Sequence, residues 1–372
     1  MPTSSSLAKA QERELLEAAR GGDEDAFRRL VEPRHGELHA HCYRMLGSVH
    51  DAEDAVQEAL LRAWRGLGRF EARSSLRSWL YTIATNTALN LISRRPKRVL
   101  PIDYGPPADP HEPPGQPVVE SVWVEPYPDE AVGLPEGAAG PDAQYELRES
   151  VELAFVAALQ HLPATQRAVL ILREVLGFSA KEVAEALDTS VASVNSALQR
   201  ARAAVEERVP EESQQATLRS LGDEEVRELV QRYVDAWERC DVEAFTEMLS
   251  EDATFTMPPL ASWYRGRDEI ETWARNSALS GDWRWRSLPA RANGQEALAF
   301  YAWDADEKSY LPFALNLLTF REREITNVTA FIARNVDVAD EEIEGRWPER
   351  PSDPELLLGF FGRFGLPERL PA

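Results

Sequence analysis

Cysteine is nearly missing from this 372-residue sequence: Cys42 and Cys240 are the only two, and they stand far apart. A disulfide-stapled fold is therefore excluded, and a reducing compartment is expected. No apolar run approaches the roughly 20 residues that a bilayer span needs. The first residues, MPTSSSLAKAQERE, lack the apolar stretch of a secretory leader. The expected location is the cytoplasm, with no membrane partner. No phosphate-binding loop or dinucleotide fingerprint is present, and no cofactor is expected. Histidine is scarce and stops at His161. His35, His39 and Cys42 share one helix face, but no fourth ligand is evident. They are read as packing residues, and no metal is expected.

Basic charge is also short. The net charge of −22 argues at first against a nucleic-acid binder. The charge is unevenly spread, however. Residues 1–98 carry 16 basic and 13 acidic side chains, a net of +3. Residues 99–143 have no Lys or Arg and nine Asp or Glu. Residues 144–209 sum to −2 and residues 210–372 to −14. The acidity belongs to a middle segment and to the C-terminal part.

The length suggests two or three domains. Residues 11–98 show apolar positions at three- and four-residue spacing, a helical pattern with no strand-like alternation. Residues 99–143 hold eleven prolines and five glycines, which neither a helix nor a central strand can absorb. They are expected to be an extended acidic linker. Helical spacing resumes over 144–208. From 222 to 335, helices around 223–239, 241–249 and 268–278 go with alternating stretches at 252–257, 283–291, 296–303, 311–321 and 324–332. That order predicts an α+β domain. Residues 336–372 form a tail whose apolar end, from Glu355 to Leu370, is expected to be helical to about Phe364 and to dock.

Within 179–208, Ser179-Ala-Lys-Glu182 is a capping box. A short helix to Leu187, the turn Asp188-Thr-Ser190 and a second helix from Val191 make a helix-turn-helix. Such a unit places its second helix in the major groove. Val194, Leu198, Ala201 and Val205 face inward. Ser193, Asn195, Ser196, Gln199, Arg200 and Arg202 lie on the other sides. Asn and Gln can read adenine edges; Arg can read guanine or neutralise phosphate. A plain helical hairpin with a solvated face has the same pattern.

Asp51, Asp54, Gln57, Glu58 and Leu61 form an acidic stripe on one helix, opposite Val56, Leu60, Ala63 and Trp64. The stripe suits a basic partner helix; alternatively Asp51 is only an N-cap and the rest a solvated face. Between Phe70 and Arg98, aromatic, amide and basic residues alternate. Unstacked bases require such groups, although Trp79 and Leu80 could equally be core.

Three strings carry a resemblance: DAEDAVQEALLRAW, SSLRSWLYTIATNTALNLISRR and LPATQRAVLILREVLGFSAKEVAEALDTSVASVNSALQRAR. They resemble, in order, the polymerase-clamp helix, the promoter-melting helix and the fourth region of extracytoplasmic-function (ECF) sigma factors of the sigma-70 family. The resemblance implies two all-α sigma domains, the second containing the helix-turn-helix. Its partners would be promoter DNA and the clamp helices and flap of the RNA polymerase core. Asp54, Gln57, Glu58 and Leu61 would grip the clamp. Phe70 would hold a flipped base, and Asn86 and Asn90 would contact the melted (−10) element. Arg94, Arg95 and Arg98 would meet phosphates. Ser193, Asn195, Ser196, Gln199, Arg200 and Arg202 would read the upstream (−35) element. The linker would run through the polymerase's basic cleft.

The C-terminal part is similar to the SnoaL-like branch of the NTF2-like fold, an α+β fold with a conical pocket, most closely in LPFALNLLTFREREITNVTAFI. Candidate pocket residues are Trp237, Phe255, Met257, Trp263, Tyr264, Trp273, Trp303, Phe313, Asn316 and Phe331. Their apolar bulk with a few polar groups suits a small-molecule ligand, or simple core filling. Some members of the branch are enzymes with an Asp–His pair. No His follows His161, so no enzyme is expected. The resemblance implies a transcription initiation factor with a regulatory extension, whose −14 balance could mimic DNA near residues 94–98. Two other readings stay open: a ligand-sensing helix-turn-helix regulator, and a SnoaL-like enzyme on a helical tether.

Overall fold

The computed structural model describes residues 4–70, 75–115, 118, 122–131, 148–333 and 359–372. Expectations for 132–147 and 334–358 fall outside these. The chain divides into two compact units. One comprises Met1–Pro96, Ala131–Ser150 and Ala158–Val209; the other comprises Lys97–Glu130, Val151–Ala157 and Pro210–Ala372.

Five helices open the first unit: α1 (Ser4–Arg20), α2 (Glu24–Val31), α3 (His35–Leu46), α4 (Val49–Gly66) and α5 (Leu76–Ile92). Short polar side chains start several of them. Asp23 accepts from the Ala26 amide, Ser48 from Asp51 and Ser75 from Ser78. Helix α3 ends at Gly47, whose φ of +69° closes the left-handed cap. A Cβ there would lie 3.1 Å from the Gln160 side chain, so glycine also permits a close approach. Cys42, Tyr43, Met45, Val56, Leu80 and Ala84 are among the buried residues of this bundle.

His41 is buried within it. Its Nε2 lies 2.9 Å from the Thr85 hydroxyl, which donates to the Tyr81 carbonyl. Burial, then the charges of Arg44 and Arg77, push the imidazole down to about 3. The unfolded chain takes up this proton near pH 6.5, whereas the folded chain resists until about 3. Stability is therefore lost as pH falls through that window, by about 2 kcal/mol at pH 5. Urea denaturation at pH 7 and pH 5 should show a smaller loss for His41→Gln than for the native chain. Equal losses would contradict the assignment.

Helices α6 (Pro101–Tyr104), α7 (Leu153–Gln160), α8 (Ala164–Leu170), α9 (Ala180–Ala186) and α10 (Val191–Glu206) follow. In the second unit come α11 (Gln214–Leu221), α12 (Asp223–Glu238), α13 (Val242–Thr246) and α14 (Arg267–Asn276). Six strands join them: β1 (Leu249–Thr256), β2 (Trp263–Arg265), β3 (Trp285–Ala292), β4 (Gln295–Asp304), β5 (Ser309–Arg321) and β6 (Glu324–Ile332). The sheet order is β2-β1-β6-β5-β4-β3. Only β1 and β6 pair in parallel; the other neighbours are antiparallel. The expected α+β domain is present. Leu249 opens the first strand rather than ending a helix, and α11 had no counterpart in the sequence reading.

An aromatic core joins α12 to the sheet. The Trp237 ring lies 5.0 Å from Phe300, 5.7 Å from Phe245 and 5.9 Å from Trp285. The C-terminal tail docks on this unit, as expected of its apolar end. Phe361 sits edge-on to Tyr301, the Tyr301 hydroxyl donates to the Pro367 carbonyl, and Leu370 bridges to Tyr310.

The acidic linker departs from the extended reading. Its described residues up to Glu130 belong to the second unit and pack there. Val99 pairs with the 122–124 backbone, and Val122, Trp123, Val124 and Tyr127 are buried. Tyr127 and Asn293 exchange hydrogen bonds of 2.8 Å, and the Gly294 amide donates to Asp129 at 2.7 Å. Proline bars regular ladders, but it leaves carbonyls and the remaining amides free to pair with a neighbouring domain.

Candidate nucleic-acid interface

The helix-turn-helix forms as its sequence dictates. The Ser179 hydroxyl accepts from the Glu182 amide at 3.2 Å, and the Glu182 carboxylate accepts from the Ser179 amide at 2.8 Å. Those bonds from Ser179 hold the Glu182 carboxyl below its usual range. Asp188 takes a φ of +48° in the turn, and Ser190 caps α10. Along α10, Val194, Ala197, Leu198, Ala201 and Val205 are buried. Ser193, Asn195, Ser196, Gln199, Arg200 and Arg202 are all exposed. Two of the six have local duties as well. Ser193 Oγ lies 2.9 Å from Ser190 Oγ, and Arg202 pairs with Glu174 at 2.7 Å.

In the first unit, α4 carries the acidic stripe. Its N-cap is Ser48 and not Asp51. Asp51 is only 2% exposed and takes the Arg95 guanidinium, so it faces inward and leaves the stripe. Asp54, Gln57 and Leu61 are exposed and Glu58 is half-buried. Leu61, at 51% exposed, is a large apolar side chain left open to solvent. Glu58 pairs with Arg62 at 2.7 Å, while Asp54 has longer contacts, to the His50 ring at 3.8 Å and to Arg95 at 4.0 Å. Exposed pairs of this kind are weak and easily exchanged.

The residues assigned to melted DNA are differently placed. Asn86 and Asn90 are exposed on α5. The Asn86 amide donates to the Ala186 carbonyl of α9 at 3.3 Å. Nearby, Ser78 donates to Glu182, and the Arg77 guanidinium lies 4.9 Å from the Phe178 ring. This part of α5 thus packs on the first helix of the helix-turn-helix. Phe70 is buried, 4.7 Å from the Trp79 ring, and its carbonyl accepts from Arg20. Arg94 and Arg95 are exposed. Arg98 is buried, donating to the Trp123 carbonyl at 2.8 Å and facing Glu125 at 3.4 Å.

A buried polar lock was missed in the sequence. Arg167 donates to the carbonyls of Met45, Gln160 and Leu162, while Gln160 donates to the Arg44 carbonyl at 3.1 Å. Arg44 in turn donates to Ser150. Burial pushes the Arg167 guanidinium down to about 10. The available signal was a charged residue, Arg167, directly before an apolar run, Ala168 to Leu172.

Of the candidate pocket residues, Trp237, Phe255, Met257, Tyr264 and Trp273 join one core cluster, with Phe313 packed against it. Asn316 donates to the Tyr233 hydroxyl in that core. Trp263 is buried with its indole donating to Gly105 of the linker. Trp303 instead packs on Tyr310, and Phe331 is buried outside the cluster. Trp263, Trp303 and Phe331 thus lie outside the cluster that the other aromatics share. Among the described residues, no group of three or more His, Cys, Asp or Glu is placed to hold a metal, and no helix is long and apolar enough to cross a membrane.

Comparison with known proteins fits this arrangement. The chain matches sigma-70 region 2 over residues 30–98, sigma-70 region 4 over 152–205 and a SnoaL-like domain over 230–340. The ECF RNA polymerase sigma factor SigG of Mycobacterium tuberculosis (strain ATCC 25618 / H37Rv) is 42% identical over 331 residues, covering 88% of this chain and 85% of that protein. The ECF RNA polymerase sigma-E factor of Escherichia coli (strain K12) is 30% identical over 195 residues, 52% of this chain and 92% of its own. The crystal structure of the M. tuberculosis extracytoplasmic function sigma factor SigJ shares the fold, with a TM-score of 0.51 at 22% identity, covering 82% of this chain and 95% of that one. With its two sigma-70 regions followed by a SnoaL-like domain, this chain belongs to the ECF family of RNA polymerase sigma factors.

Proposed function

We propose that this chain recruits the RNA polymerase core to a set of promoters from within the cytoplasm, and that its SnoaL-like domain regulates it without catalysis. One observation carries the reading. A single chain bears an exposed helix-turn-helix face on α10 and a separate stripe on α4, where Asp54, Gln57 and Leu61 are exposed and Glu58 is half-buried. A ligand-sensing repressor requires the first and has no use for the second. The stripe would take the basic clamp, while Asn195, Gln199 and Arg200 would read the upstream element. The linker would enter the polymerase, where its lack of cations suits a channel built for nucleic acid.

Substituting Gln199 and Arg200 by Ala is expected to weaken holoenzyme binding to its promoters by roughly 5- to 150-fold per lost base contact. Affinity for the core should be unchanged. Footprinting with the variant would show protection lost at the upstream element first. Uniform loss across unrelated sequences would mean phosphate contacts and not base reading.

Regulation by the C-terminal domain is supported by what packs on it. Its core cluster receives Ala108 of the linker, and the tail covers Tyr301 and Tyr310. No His follows His161, so the Asp–His pair of the enzymatic members of the branch has no counterpart. A small-molecule ligand stays a candidate partner, because buried Tyr264, Trp273 and Asn316 each keep a polar atom without a hydrogen-bond partner.

A further inference from the structure

Backbone and side-chain hydrogen bonds tie the described residues of the linker to the C-terminal domain. Trp263 Nε1 donates to the Gly105 carbonyl and the Ala108 amide to the Trp263 carbonyl, both at 2.8 Å. The Gly115 amide donates to Ser262 Oγ at 2.9 Å, and Val118 to the Pro259 carbonyl at 3.0 Å. The Tyr127–Asn293 exchange adds two more, and the Gly294 amide donates to Asp129 at 2.7 Å. The same linker folds back on its own start: Val99 donates to Val122, and Val124 to Val99. The Arg98 guanidinium is enclosed by that fold-back, on the Trp123 carbonyl and the Glu125 carboxylate.

We infer that the C-terminal domain is an internal receptor for the linker, and that docking there withholds Arg98 from DNA. The inference rests on the sigma-factor reading given above. A linker inside the polymerase cannot keep its bonds to Pro259, Ser262, Trp263 and Asn293. The two hosts therefore compete for one segment. The Trp123 and Glu125 acceptors of Arg98 are carried by that segment, so they leave with it. A buried guanidinium then becomes an exposed one beside Arg94 and Arg95, where a phosphate can replace the lost acceptors. Promoter binding by this end of region 2 thus becomes conditional on polymerase. The acidic residues among its described positions, Asp103, Asp109, Glu112, Glu125, Asp129 and Glu130, oppose DNA while the segment is docked and favour the basic cleft when it moves.

The test is amide exchange of Ala108, Gly115 and Val118 in the full chain, alone and with core RNA polymerase. The expected result is slow exchange in the free chain and a rise of about tenfold or more in the complex. Ser262→Ala with Trp263→Phe removes two linker bonds while keeping the indole's bulk largely in place. It should speed exchange at the same amides in the free chain and tighten binding to the core. Arg98→Ala should weaken promoter binding by the holoenzyme and lower its salt slope by about 0.9. Its effect on DNA binding by the free chain should be smaller. If the core binds and the three amides stay protected, the inference is overturned and the sigma reading stands. If the core does not bind, both fall. Equal effects of Arg98→Ala on free chain and holoenzyme would show that the arginine is never withheld.

Discussion

Reversing the charge of Asp54 and Glu58 to Arg is expected to abolish binding to the RNA polymerase core. Both lie on α4 with Gln57 and Leu61, and Asp54 and Leu61 are open to solvent. Charged groups buried in an interface typically cost 2–5 kcal/mol or more when truncated, and like charges placed across it cost several more. The double reversal should thus lower core affinity by roughly a thousandfold or more. The fold should hold, because the lost partners are weak: an i,i+4 pair to Arg62 and distant contacts to His50 and Arg95. Duplex binding through α10 should also hold. Pull-down of core by the variant, with circular dichroism to verify the helices, checks both arms. Unchanged core binding would remove α4 from the polymerase interface.

Arg167→Ala is expected to cost about 3 kcal/mol of stability in the first unit. The guanidinium is buried and donates to the carbonyls of Met45, Gln160 and Leu162 and to the Gln160 side chain. Its removal leaves buried acceptors without donors, and each such group costs about 1–3 kcal/mol. The Met45 carbonyl belongs to the end of α3, where the helix itself supplies no donor. The urea midpoint of the first unfolding transition should fall for Arg167→Ala and stay put for Arg200→Ala on the exposed face. A loss under about 1 kcal/mol would mean that water or a neighbouring side chain takes over these carbonyls.

Local features were legible in the sequence. The Ser179–Glu182 box, the Asp188–Ser190 turn and the inward set on α10 depend on residues within one or two helical turns of each other. The α+β order of the C-terminal part was legible for the same reason: alternation and helical spacing are local. What was not legible was long-range. The stripe on α4 looked continuous, but Asp51 sits one position into the core, where Arg95 of another helix neutralises it. Phe70 and Arg98 have residue types suited to bases and phosphates, yet each is enclosed by groups distant in sequence, Arg20 and Trp79 for one and Trp123 for the other. The linker composition forbids ladders, but it says nothing of a domain that offers Asn293, Ser262 and Trp263 as partners. Trp303 alternates with the core residues of β4, but it turns to Tyr310 of the next strand.

Truncating the chain after Pro210 would be a poor probe of regulation, since it would strip Asn293 from Tyr127, Trp263 from Gly105 and Ala108, and Ser262 from Gly115. Point variants that keep both units are preferable. The most direct measurement is run-off transcription on genomic promoter fragments, using bacterial core polymerase with the full chain and with the Asp54/Glu58 reversal. The account predicts transcripts from defined start sites with the native chain and none with the variant. Transcripts from neither, while both chains still bind duplex DNA, would contradict it and leave a ligand-sensing DNA-binding regulator as the better description.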